Sequence, residues 1–223
     1  MRRIFLGLAA VAILLMLANA LLGLVTGDFN AAYHDAAVAI REAEALEKDR
    51  LATPAALAEA KQRIAAAKIP FKQREAVMTW HILLGSAAAL VTLLVNSISV
   101  TYFIGTARWS KEVVDAYHLA PQLSEESARI KRRSFPYSLL GIATILAVVV
   151  LGAAADPRGM NRNHAADWVQ VHYLFAFASL LAIAWAFAMQ GQCLAEHFAL
   201  IEKIMAEVRR IRSERSLAQE TVS

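Results

Sequence analysis

An all-α integral membrane protein, built as a four-transmembrane-helix up-down bundle, is the fold class this sequence predicts, and three observations predict it. Of its 223 residues 58% are hydrophobic, above the roughly half expected of a soluble domain. The excess gathers in four blocks, each near the ~20 residues that a helix needs to cross a hydrocarbon core of about 30 Å. No Asp, Glu, Lys or Arg falls inside any block, and a helix satisfies its own backbone where no water can do so.

The first span lies in residues 1–27, behind Arg2 and Arg3. Ala18-Asn19-Ala20 fits a signal-peptide cleavage site, but the apolar run continues through Leu21, Leu22, Leu24 and Val25, which suits a retained anchor better. Residues 28–76 read as a short extracytoplasmic helical pair. Phe29, Tyr33, Ala36, Ile40 and Ala43 recur at helical spacing. Thr53-Pro54 looks like an N-cap with proline in the first turn. Leu57, Ala60, Ile64 and Ala67 continue one face, and Ile69-Pro70 is expected to end it.

The second span is 77–105. A cytoplasmic loop, 106–134, follows, amphipathic from Arg108 until Pro121 stops it. Ser124 then caps a basic turn ending in Lys131-Arg132-Arg133, an anchor suited to anionic lipid. The third span is 135–155, an extracytoplasmic loop is 156–167, and the fourth span is 168–192. Trp80, Tyr102, Trp109, Tyr137, Trp168 and Tyr173 lie near span ends, where aromatic belts form. In the cytoplasmic helical tail, 193–223, Ile201, Ile204, Val208 and Ile211 keep a 3-4 spacing that calls for a packing partner. Residues from Leu217 are expected to fray.

The net charge of +4 and pI near 9.4 are read as membrane topology, with no nucleic-acid partner. With the N-terminus inside, thirteen of the 23 Lys and Arg fall in inner segments and ten in outer ones. Arg108, Lys111, Arg132 and Arg133 abut spans on the inner side. This predicts a multi-pass protein of the inner (plasma) membrane with both termini cytoplasmic. The single cysteine, Cys193, excludes an internal disulfide. There is no Gly-rich phosphate loop and no nucleophile elbow. The absence of intramembrane charge argues against a pump or ion-coupled transporter.

Two of the six histidines fall inside spans, His81 and His172. Each lies about four residues, or roughly 6 Å, below the same surface. The second and fourth spans run the same way, and small or polar residues follow each histidine at helical period. From His81 these are Gly85, Ala88, Thr92, Asn96 and Ser99. From His172 they are Ala176, Ser179, Ile183, Ala186, Gln190, Cys193 and His197. Such stripes belong inside a membrane bundle. Gly85 is expected to make room for a flat macrocycle, and Phe175 and Phe177 to wall it. Two imidazoles on one iron suit electron transfer, so heme b is the expected cofactor. The layout is similar to that of cytochrome b-type bundles, a resemblance that rests on these two positions and implies a small heme-bearing electron-transfer subunit.

Other readings stand beside it. Trp80-His81 and His172-Tyr173 are also ordinary interface residues, and small stripes are ordinary helix packing. Copper or zinc would need further ligands, with His164, Asp156 and Asp167 the nearby candidates. Asn96, Ser97, Ser99, Thr101 and Tyr102 suit either a quinone or proton path, or plain interhelical hydrogen bonds. Gln190, Cys193, Glu196 and His197 form a weaker cluster. The alternative function is a non-catalytic scaffold or accessory subunit; a sensor with the outer helical pair as receiver is a third. The partners expected are the lipid bilayer and other membrane subunits or a second copy.

Overall fold

The computed structural model describes residues 2–159 and 161–220, with side chains as far as Arg215. It is all-helical: α1 Arg2–Val25, α2 Phe29–Lys48, α3 Pro54–Tyr117, α4 Gln122–Ala155, a 3-10 turn Arg162–His164, and α5 Ala165–Glu220, with no strand among the described residues. Four of these helices are long and apolar enough to cross a membrane. Their burial pattern is inverted relative to a water-soluble bundle. Leu90, Val150 and Leu181 are 68%, 66% and 73% exposed, while Thr92, Asn96, Ser99 and Gln190 are fully buried. That is the arrangement a hydrocarbon solvent selects.

The helix starts follow the expected capping chemistry. Gly27 takes a left-handed turn, φ 64°, that releases the chain from α1. The Asp28 carboxylate then accepts from the Ala31 N–H at 2.9 Å. Thr53 Oγ accepts from the Ala56 N–H at 3.2 Å. Each pairs an N–H that the first helical turn leaves unsatisfied.

Three boundaries differ from the sequence expectation. Pro70 does not end its helix; α3 runs through it. An interior proline costs about 3 kcal/mol in an isolated helix. Here Phe71, the next residue, stacks on Phe29 at 5.9 Å and meets Tyr33 at a tilt, 6.1 Å away, and α2 thereby supports the turn. In 106–134 the amphipathic stretch from Arg108 is helix and breaks at residues 118–121, beside Pro121 as expected, but a second helix starts at Gln122 where a capped basic turn was expected. Val114, Leu123, Ser127, Ile130 and Ser134 are all buried, so tertiary packing carries both helices beyond their apolar blocks. Ser124 donates to the Pro121 carbonyl at 2.9 Å rather than accepting as a cap. The fraying expected from Leu217 is not seen in the backbone, since α5 continues to Glu220; residues 221–223 lie outside the described residues.

Two compact units divide the chain. One comprises residues up to 13, 90–145 and 181 onward. Within it α3 and α5 run parallel in one register: Asn96 meets Gln190, Tyr102 meets His197 and Tyr117 meets Arg212, at offsets of 94, 95 and 95 positions. In α4 the order reverses, with Ser138 bonded to Gln190 and Ser127 to His197. The packing partner that the 3-4 spacing of the tail calls for is therefore intramolecular, and Ile204 and Val208 are buried in it. The start of α1 joins through Phe5, edge-to-face with Phe187 at 6.0 Å.

The other unit comprises residues 14–89 and 146–180. Here α2 lies on the first half of α3 through Phe29, Tyr33 and Phe71. Asn30 donates to the Ala155 carbonyl at 3.2 Å, and Arg74 donates to the Asp28 carbonyl. The Arg158 guanidinium sits over the Phe29 ring at 5.1 Å and grips Asp156 with two hydrogen bonds of 3.0 and 2.9 Å.

Burial pushes the Asp156 carboxyl up, but the hydrogen bonds and charge of Arg158 outweigh it and hold the group below its ordinary value. A lowered carboxyl pKa stabilises the fold above the ordinary Asp value and loses that contribution as pH falls through the lowered one. The Arg158 amide, bonded to the same carboxylate at 2.9 Å, reports it. Its hydrogen-exchange protection factor is expected to hold from neutral pH to about 5 and to fall below about 4. In Asp156→Asn that pH dependence should vanish.

Candidate functional site

His81 on α3 and His172 on α5 face each other, with ring centroids 6.3 Å apart and planes at 83°. Both rings are half-buried. Each is backed by a glycine on another helix. A Cβ at Gly23 of α1 would stand 3.1 Å from His81 Cε1, and one at Gly152 of α4 would stand 3.1 Å from His172 Cε1. Any side chain at either position would push on a ring.

Gly23 also exposes a backbone acceptor. His81 Nδ1 lies 3.2 Å from the Asn19 carbonyl, four residues before Gly23. A carbonyl only accepts, so this contact puts the proton on Nδ1 and leaves a lone pair on Nε2. His172 Nδ1 is buried with no hydrogen-bond partner among the described residues. A helical carbonyl already bonded within its helix keeps a second lone pair. Glycine four residues on leaves no Cβ to cover it. Neither Nε2 is hydrogen-bonded among the described residues, and neither is among the buried unpaired atoms.

The rings meet edge to face, with centroids 6.3 Å apart, a spacing that aromatic pairs elsewhere in the chain also show, as Phe29 and Tyr33 do at 6.4 Å. Among the described residues no group of three or more His, Cys, Asp or Glu is placed to hold a metal ion. The further ligands considered for copper or zinc are engaged elsewhere: His164 pairs with Asp167 at 3.4 Å on the exposed surface, and Asp156 with Arg158.

Two other expected site residues are placed differently. Gly85 does open space, but for Asn19: a Cβ there would stand 2.8 Å from the Asn19 amide nitrogen. Phe175 is half-buried, its carbonyl accepting from Ser179 at 2.5 Å, and its ring makes no aromatic contact with either histidine among the described residues. The neighbouring ring pair is Tyr173 and Phe177, 5.0 Å apart. Asn19, Gly23 and Gly152 are the members that sequence reasoning missed. The available signal was slight: one amide in an otherwise apolar first span, its Oδ1 now buried without a partner, and single glycines near span ends.

The weaker cluster separates into distinct contacts. Gln190 donates to Asn96 Oδ1 at 3.0 Å and accepts from Ser138 at 3.2 Å. A Cβ at Gly141 would stand 2.7 Å from the Asn96 amide. His197 is fully buried, with Ser127 Oγ 2.8 Å from Nε2 and the Tyr102 hydroxyl 3.4 Å from Nδ1. Both of its nitrogens are occupied, as in a helix-joining histidine. Glu196 turns outward to Arg133.

Comparison with protein families, with curated proteins and with solved structures gives no match, so the functional reading rests on this geometry.

Asn96→Ala removes the acceptor of a buried amide. It is expected to cost about 1–2 kcal/mol, read as a lowered midpoint of thermal unfolding in detergent. Gly141→Ala should act in the same direction, because its new methyl displaces the same amide.

Proposed function

We propose that this chain is a small membrane b-type cytochrome or heme-bearing electron-transfer subunit, in which His81 and His172 would hold the heme iron. The observation that carries the reading is the pair of imidazoles 6.3 Å apart, neither hydrogen-bonded at Nε2 among the described residues, with His81 Nδ1 on the Asn19 carbonyl. Ligating histidines ordinarily hold their other ring nitrogen in this way, which fixes ring orientation and raises ligand basicity. When bound, a heme b with two imidazole ligands supplies one-electron transfer and offers no open position for oxygen. The chain's own contribution is to orient the rings. Gly23 and Gly152 admit them, and the Asn19 carbonyl sets the tautomer at His81.

The location proposed is the plasma membrane, both termini cytoplasmic and the α2 end extracytoplasmic. Arg2, Arg3, Arg132 and Arg133, close to span ends, support that orientation.

The test is a reduced-minus-oxidised visible spectrum of the purified protein in detergent. A sharp b-type α-band is expected, lost in His81→Ala and in His172→Ala and kept in His164→Ala, whose ring is exposed. Gly152→Val and Gly23→Val should weaken heme retention at unchanged helical content. No band in protein made with ample heme overturns the reading and leaves the scaffold or accessory subunit, for which crosslinking through α2 would seek another subunit or a second copy.

A further inference from the structure

Between α2 and the start of α3 lies a groove of about 300 Å³. Its floor is apolar, formed by Tyr33, Ala36, Ala37, Ile40 and Phe71, and its rim carries Lys68 and Lys72. α2 contributes two alanines, Ala36 and Ala37, to the lining.

Lys68 and Lys72 stand four residues apart on one helix face, an arrangement that places like charges side by side and is mildly unfavourable by itself. Neither ammonium has an ion-pair or hydrogen-bond partner among the described residues. Basic residues close by are engaged: Arg63 with Glu59 and Glu42, Arg74 with the Asp28 carbonyl, Arg158 with Asp156. The two lysines precede residue 77, where the second apolar block begins, by nine and five positions. At 1.5 Å per residue that is about 8–14 Å along the helix. The headgroup layer adds about 5–8 Å on each side of the hydrocarbon, and a lysine side chain reaches further along an apolar surface. Both ammoniums therefore come within reach of headgroup phosphates.

We infer that this groove is a binding site for the headgroup of an anionic phospholipid, its phosphate held between Lys68 and Lys72 and its glycerol against Phe71 and Tyr33. An uncharged amphiphile would leave the two ammoniums without a counter-charge. A free phosphate would leave the apolar floor uncovered. The site is independent of the histidine pair, so its test and that of the heme reading fail separately.

The experiment is native mass spectrometry of the full chain released from mixed phosphatidylglycerol–phosphatidylcholine nanodiscs. One phosphatidylglycerol is expected to be retained about tenfold more strongly than phosphatidylcholine, as two close ammonium charges imply. Lys68→Gln with Lys72→Gln should abolish that preference while Lys61→Gln keeps it, at equal helical content by circular dichroism. Ala37→Leu, which fills the floor and leaves both charges, should also release the lipid. Equal retention of the two lipids by the natural chain overturns the inference, as does retention unchanged in the double variant or in Ala37→Leu. Displacement of the lipid by millimolar inorganic phosphate assigns the site to the free anion and overturns it as well.

Discussion

Hydrocarbon offers no hydrogen bonds, so a polar side chain within a span must find its partner on a neighbouring helix or leave an unsatisfied group at a cost of about 1–3 kcal/mol. Much of what is specific in this protein answers that constraint. Asn96, Gln190 and Ser138 tie three helices together at one level, and His197 joins Tyr102 to Ser127 at another. These contacts, more than the leucines and valines facing outward, determine how α3, α4 and α5 are rotated and aligned. Glycine is the complement. At position 141 it brings α4 close enough for the Asn96 amide to sit against its backbone.

Against that background the two kinds of buried histidine separate clearly. His197 has a hydroxyl at each ring nitrogen, and a proton placed on either one is accommodated. His81 gives Nδ1 to the Asn19 carbonyl, His172 keeps a buried Nδ1 without a partner, and neither Nε2 is hydrogen-bonded among the described residues. An unfilled acceptor of this kind is where a ligand is sought. The glycine contacts are near-identical: a Cβ at Gly23 or at Gly152 would stand 3.1 Å from the Cε1 of its histidine.

Much of the fold was legible because lipid imposes coarse rules. The four apolar blocks, the stripes below His81 and His172, the Thr53-Pro54 helix start and the packed tail are periodic or local signals. What escaped was decided by contacts between distant residues. Ile69-Pro70 reads as a stop, yet Phe29 and Tyr33, some forty positions earlier, support the helix through it. The basic stretch before Phe135 reads as a loop, yet Ser127, Ile130 and Ser134 are buried against neighbouring helices and keep it helical.

The candidate site divides the same way. From the sequence by itself the two histidines are read as lying inside spans at matching depths on helices running in one direction, a reading that needs only span order and helical rise. Only the tertiary structure decided that the rings face each other at 6.3 Å, that Gly23 and Gly152 back them, and that the space at Gly85 belongs to Asn19. The physical reason is rotation about the helix axis. Periodicity indicates which face of a helix is inward, but which neighbour a residue meets depends on the azimuth and approach of the second helix. In these helices that is fixed by a few small residues and buried amides far apart in the chain.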